Sequence, residues 1–203
     1  RVGLARTQAL LENLKREIDL STSTILKNAQ LTVAEESATY GAGAISTEVA
    51  PSTFIQNVGG DIITTIQVDL TGLKKKSDVG DVIGLDGVNG AYLLQFLSAK
   101  HGILYKVEVS CIELPAAASN NLLDFDLIAN SSATLAYDGD ASGGTSIFAA
   151  GGNFALGTTI QNLAVTQPTN EHYVYLCDGA TSTGADTFTA GKLVIKLFGR
   201  ASF

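Results

Sequence analysis

Two periods divide the chain. From Leu4 to Ile18 the apolar positions recur at helical spacing. Leu4, Leu11, Leu14 and Ile18 lie 7, 3 and 4 residues apart, on one face, and Leu10 widens that stripe. Ala5, Gln8, Ala9, Glu12, Lys15, Arg16 and Glu17 are good helix formers. Asp19, Ser21 and Thr22 favour caps and turns, so the helix is expected to stop there. The pattern predicts an N-terminal helical arm over 1–21. Its stripe needs cover, either from its own domain or from a neighbouring subunit.

From residue 22 onward the period is two. Ile62, Thr64, Ile66, Val68 and Leu70 form one side of the clearest strand. Ile103, Tyr105, Val107, Val109 and Cys111 form one side of the next. There the phase slips, because Ile112 and Leu114 are apolar too. This predicts a bulge or strand end near Cys111, with Pro115 ending the pairing. Further runs lie at Tyr92–Leu97, Leu122–Ile128, Thr159–Val165, Tyr173–Cys177 and Leu193–Phe198. Shorter candidates are Thr24–Leu26, Leu31–Val33 and Thr53–Val58. Gly59-Gly60, Asp86-Gly87, Asn89-Gly90, Gly143-Gly144 and Asp178-Gly179 punctuate them as turns. Many short strands with Gly-rich turns predict a mainly β fold. Its form is an antiparallel β-sandwich or jelly roll over 22–203, preceded by the amphipathic helix. A Gly/Ala/Ser/Thr-rich region, 130–157, interrupts the rhythm. It is expected to be a surface loop or a pair of short hairpins, at an outer surface or an inter-subunit seam.

Composition narrows the classes. The 203 residues carry 13 Lys plus Arg against 20 Asp plus Glu, a net charge of −7, and only 16% are charged while 45% are apolar. That is the reverse of a disordered chain. It also lacks the positive excess of a nucleic-acid binder, so direct nucleic-acid contact is not expected. No apolar run is long enough to span a membrane. Opening on Arg1 rather than Met, the chain is expected to have had residues ahead of it. Its charged first residues do not read as a signal peptide. The arm is slightly basic, with Arg1, Arg6, Lys15 and Arg16 against Glu12, Glu17 and Asp19, while the rest is acidic. That asymmetry suits docking on an acidic partner.

Candidates for chemistry are few. His101 and His172 each lie at the mouth of a strand, and two histidines fall short of a zinc ligand set, so structural or surface roles are expected. Neither a nucleophile elbow nor a phosphate loop is present; Thr189-Ala190-Gly191-Lys192 ends like one, but Leu193 stands where Ser or Thr is needed. Cys111 and Cys177 fall in the inward phase of their strands. They read as two buried free thiols, with a bond open only if the strands are neighbours. Asp138-Gly139-Asp140 has the oxygen density of a calcium loop, without an EF-hand's final acid. Asp124 and Asp126 form a second carboxylate pair. Lys74-Lys75-Lys76 reads as a solvated turn. No cofactor and no catalytic residue are expected.

The stretch Arg1–Asp19, the segment Ala50–Leu73, the strand His101–Pro115 and the ending Thr189–Gly199 resemble a family of structural proteins encoded by marine tailed bacteriophages, those of cyanobacteria and pelagic bacteria. The resemblance implies a virion component, made in the bacterial cytoplasm and attached to the capsid surface as a decoration or cement protein. It implies no catalytic residues and leaves head, neck and tail open. The expected partners are further copies of the chain, as a trimer by analogy with threefold capsid decoration, and the major capsid protein. Leu4, Leu10, Leu11, Leu14 and Ile18 are the expected docking residues. The alternative from another class is a carbohydrate-binding module, with Tyr92, Tyr137, Tyr173 and Tyr175 as a sugar platform, or a fibre, neck or tail component.

Overall fold

The computed structural model describes residues 2–28, 32–35, 40–47, 49–76, 78–118, 124–152, 154–181 and 183–201. Helix α1 spans Val2–Asn28. It therefore continues through the expected stop at Asp19, Ser21 and Thr22. Each of those residues costs a helix only about half a kcal/mol relative to Ala, and no Gly or Pro stands among them. The segment Thr24–Leu26, read above as a strand, is the helix's last turns, and the boundary expected at residue 21 moves to residue 28.

The strands follow in chain order as β1 (Thr32–Glu35), β2 (Ser52–Val58), β3 (Asp61–Asp69), β4 (Lys74–Lys75) and β5 (Tyr92–Gln95). A single helical turn, α2 (Ser98–His101), leads into β6 (Ile103–Ala117). Then come β7 (Phe125–Asn130), β8 (Thr145–Ala149), β9 (Thr159–Asn162), β10 (Tyr173–Asp178) and β11 (Asp186–Arg200). They form two antiparallel sheets. One has seven strands, in the order β1-β2-β3-β11-β6-β9 with β4 on the start of β11; the other has the order β5-β10-β7-β8. The fold is mainly β, a sandwich with an N-terminal helix.

Period two drives the packing. Ile62, Thr64, Ile66 and Val68 of β3 are buried and face the same interior as Val107, Val109, Leu193, Ile195 and Leu197. Across the core stand Leu93, Leu94, Phe125, Leu127, Val174 and Leu176 of the second sheet. The β2–β3 hairpin turns on Gly59 and Gly60, with φ of 63° and 94°, the left-handed pair that a two-residue hairpin requires.

The long strands are longer than the alternation indicates. The bulge expected near Cys111 is present, since Leu193 pairs with Cys111 and Lys192 with Glu113, leaving Ile112 extra. Pro115 does not end the pairing. It sits in a second irregularity between Glu113 and Ala116, and β6 goes on to pair Ala117 with Phe188. A proline lacks only the donor, and a bulge asks for none there. Opposite it, Gly191 has φ of 135° and a Cβ there would lie 2.8 Å from Pro115 Cα, so only glycine fits. The segment that ended like a phosphate loop is this bulged strand.

The second sheet is covered on both faces. Its outer side packs Ile128, Tyr175 and Cys177 against Val82, Ala91 and Ala141. Bridges Val82–Cys177 and Asp81–Asp140 tie that cover down, as do the bonds from Val82 N to Gly139 O and from Ala91 N to Leu135 O. The region 130–157 is thus only partly surface. Ala141, Ile147, Phe148 and Phe154 are buried, and β8 pairs with β7. Among the described residues no helix is long and apolar enough to cross a membrane.

Candidate functional site

On α1 the exposed apolar face is Leu10, Leu11, Leu14 and Ile18, at 68%, 61%, 57% and 54% exposure. Leu4 falls in the same helix, and its side chain lies outside the described residues. A 27-residue helix places these positions on one side by its 3.6-residue turn. Its polar face carries local bonds, such as Arg16 Nη2 to Asn13 Oδ1 at 3.3 Å. The sandwich carries a second exposed apolar group that the alternation marked only as a phase slip. Ile112 and Leu114 leave the β6 bulge outward, and Leu156, also exposed, precedes Gly157, whose N–H donates to Cys111 O.

The residues considered for chemistry are absorbed into structure. Asp138 Oδ2 accepts Lys76 Nζ at 2.7 Å, and Asp140 Oδ1 accepts the Ser142 N–H at 2.7 Å. Among the described residues no group of three or more His, Cys, Asp or Glu side chains is placed to hold a metal. His101 is buried, stacks on Phe96 and shares a 2.8 Å hydrogen bond between its Nδ1 and Thr64 Oγ1. Burial, then the adjacent Lys100 charge, pulls its pKa down to about 4, so it is neutral near pH 7. His172 has its Nδ1 buried without a hydrogen-bond partner among the described residues. Cys111 and Cys177 are free, buried, and in different sheets, β6 and β10. Burial raises both thiol pKa values, which makes them poor nucleophiles.

The tyrosines divide. Tyr92 lies 4.8 Å from Tyr173 and 6.2 Å from Tyr175, ring centre to ring centre. Tyr175 is buried, and its hydroxyl donates to Ser132 O at 2.6 Å. Tyr137 sits apart under the Lys74 ammonium. No open platform of four rings is formed.

The basic run is the clearest correction. Lys74 and Lys76 are outward and pair with Asp86 and Asp138. Lys75 is fully buried, and its Nζ donates to the carbonyls of Thr183 and Gly184 at 2.8 Å and of Lys76 at 3.2 Å. The alternation of β4, too short to register as a period, turns this one lysine inward. Desolvation lowers its pKa, with Asp178 and Asp186 acting against that shift. Nearby, the buried carboxylate of Asp124 accepts Gly152 N, Thr181 N and Thr181 Oγ1 at 3.2, 3.0 and 2.9 Å. These are fasteners, each joining segments distant in sequence.

Family models, curated proteins and solved structures give no match to the chain.

Proposed function

We propose that the protein is a bacteriophage virion structural protein that decorates and cements the capsid, acting by adhesion rather than catalysis. The observation that carries the reading is the row Leu10, Leu11 and Leu14, held in the open on a helix joined to a rigid β-sandwich. Each buried Å² of apolar surface contributes about 25 cal/mol before ordering costs, so a docked arm repeated over a shell adds up. The resemblance of Arg1–Asp19 and the strand segments to marine phage structural proteins supports the same role. Its partners on this reading are the major capsid protein and further copies of the chain, as a trimer on the virion surface.

The test is incorporation. Particles assembled with the Leu11→Asp/Leu14→Asp chain should lose it, measured by quantitative gel against the capsid protein. Normal occupancy by that variant would end the docking-arm reading. Copy number locates the protein: hundreds per particle fit decoration, whereas six or twelve fit a neck or tail.

A further inference from the structure

Asn89-Gly90 is the chain's single Asn-Gly step, and it lies just ahead of β5. Asn89 is exposed, and Gly90 has a φ of 71°. Among the described residues no hydrogen bond holds the Asn89 side chain or the Gly90 N–H. A main-chain N–H left unpaired at a buried residue is uncommon. Glycine also has no Cβ to screen its nitrogen. An amide carbon and the next main-chain nitrogen are therefore both free to react with each other.

The related steps are held. Asp138-Gly139 has its carboxylate on Lys76 Nζ at 2.7 Å and its Gly139 N–H on Ala136 O at 3.0 Å. In Asp178-Gly179 the carboxylate accepts Lys76 N at 2.8 Å, and Gly179 N donates to Asp124 O at 2.9 Å. In Asp86-Gly87 the hydrogen bond from Lys74 lowers the Asp86 pKa, so its side chain stays an anion, which repels a nucleophile. Asn130 has both ends of its amide engaged, with Ala141 O at 3.4 Å and the Ser132 N–H at 3.0 Å.

We propose that Asn89 is a site of spontaneous deamidation in the folded chain. This does not rest on the capsid reading. Gly90 N loses its proton to solvent and bonds to Asn89 Cγ. The Cγ–Nδ2 bond breaks, and the nitrogen leaves as ammonia. Water then opens the succinimide ring at either carbonyl, giving aspartate or isoaspartate. The product adds one negative charge to a chain already at −7. Isoaspartate also adds a methylene to the main chain, at a corner with no slack. Gly90 O accepts Gly43 N at 2.9 Å, and Ala91 N donates to Leu135 O at 2.8 Å. A Cβ on Gly90 would lie 3.0 Å from Ala133 O. Ala91 and Leu135 belong to the layer that closes over the second sheet, so the extra methylene loosens that cover.

The test holds the native chain in mildly alkaline heavy-oxygen water and follows it by peptide mass mapping. Position 89 should lose its amide and take up one solvent oxygen. It should do so about tenfold faster than Asn130, whose two hydrogen bonds must break first. The folded rate should lie within about fivefold of the rate in urea, the margin of one hydrogen bond. Asn89→Gln, which would need a larger ring, should stay intact. Equal rates at Asn89 and Asn130, or a folded rate more than about tenfold below the urea rate, overturns the proposal. Hydrogen exchange at Gly43 and Ala91 should rise in the isoaspartate form and not in Asn89→Asp, which carries the charge without the methylene. Equal exchange in those two forms overturns the loosening of the cover.

Discussion

The two sheets of the sandwich bury their surfaces by different means. The seven-stranded sheet keeps one face on the core and one outward. Its polar side chains mostly leave the interior by alternation, with Thr64 and His101 a bonded pair inside. The four-stranded sheet is covered on both faces, so its polar groups have no outward phase to occupy. Asp126, Asp178 and Tyr175 are buried on its strands and Asp124 lies beside it, while Lys75, on β4 of the seven-stranded sheet, reaches into the same dry corner as the exception on that side. A sheet with one wet face tolerates polar residues freely. One with two dry faces must bond each of them inside.

Breaking that second set should cost most. Asp124→Ala removes the acceptor for two backbone N–H groups and a hydroxyl inside the protein. About 3–5 kcal/mol of stability should go, a fall in Tm of about 10 °C by calorimetry. Lys75→Met, close in length and without the charge, strands the carbonyls of Thr183 and Gly184 and should cost about 2–4 kcal/mol in urea unfolding. A loss under about 0.5 kcal/mol for either would refute the fastener role. Tyr175→Phe keeps the ring and loses the bond to Ser132, so about 1–2 kcal/mol should follow.

A pH series sharpens the same contrast. Burial, with the Asp124 charge beside it, raises the Asp126 pKa to about 6 from 3.8. The folded state then holds a proton that the unfolded chain has released, and this contribution to stability is lost as pH rises through 6. His101 runs the other way. Its pKa falls to about 4 from 6.5, so the unfolded chain binds the extra proton and stability is lost as pH falls across that window. Between pH 4 and 6 the two slopes oppose. Asp126→Asn should raise stability at pH 7.5 by about 1 kcal/mol and leave the His101 slope bare. His101→Gln should lower stability overall and leave the Asp126 slope. Thermal melts that show the same pH slope in both variants would contradict this division of labour. The smallest effect belongs to the arm: Leu11→Asp in the free chain should change sandwich unfolding by about 0.5 kcal/mol or less, since the side chain is exposed.

What could be read in advance follows the same line. The alternation of β3 and of β6 up to Cys111 announced the first sheet, because one wet face leaves polar residues in every second place. The strand at β7 is legible in the sequence, but Asp124 and Asp126 read there as a carboxylate pair, since nothing in a local pattern says that a second layer will close over them. Lys75 was hidden for another reason: three lysines in a row look solvated, and β4 has only two residues to set a phase. At Pro115 the partner strand, not the local residues, decides that pairing resumes, and the first half of β11 is too rich in Thr, Ala and Gly to stand out. On the arm the stripe is plain in the sequence and the length is not, because Asp19, Ser21 and Thr22 are weak helix formers that also suit a stop.

The inward turn of one lysine between two outward ones has a use at the bench. Amine-acylating reagents applied to the folded chain will tag Lys74 and Lys76 and pass over Lys75, and the omission will vanish once the chain is unfolded. Peptide mass mapping of that triplet therefore reports, residue by residue, whether this corner of the sandwich is closed, in a free subunit and in an assembled particle alike.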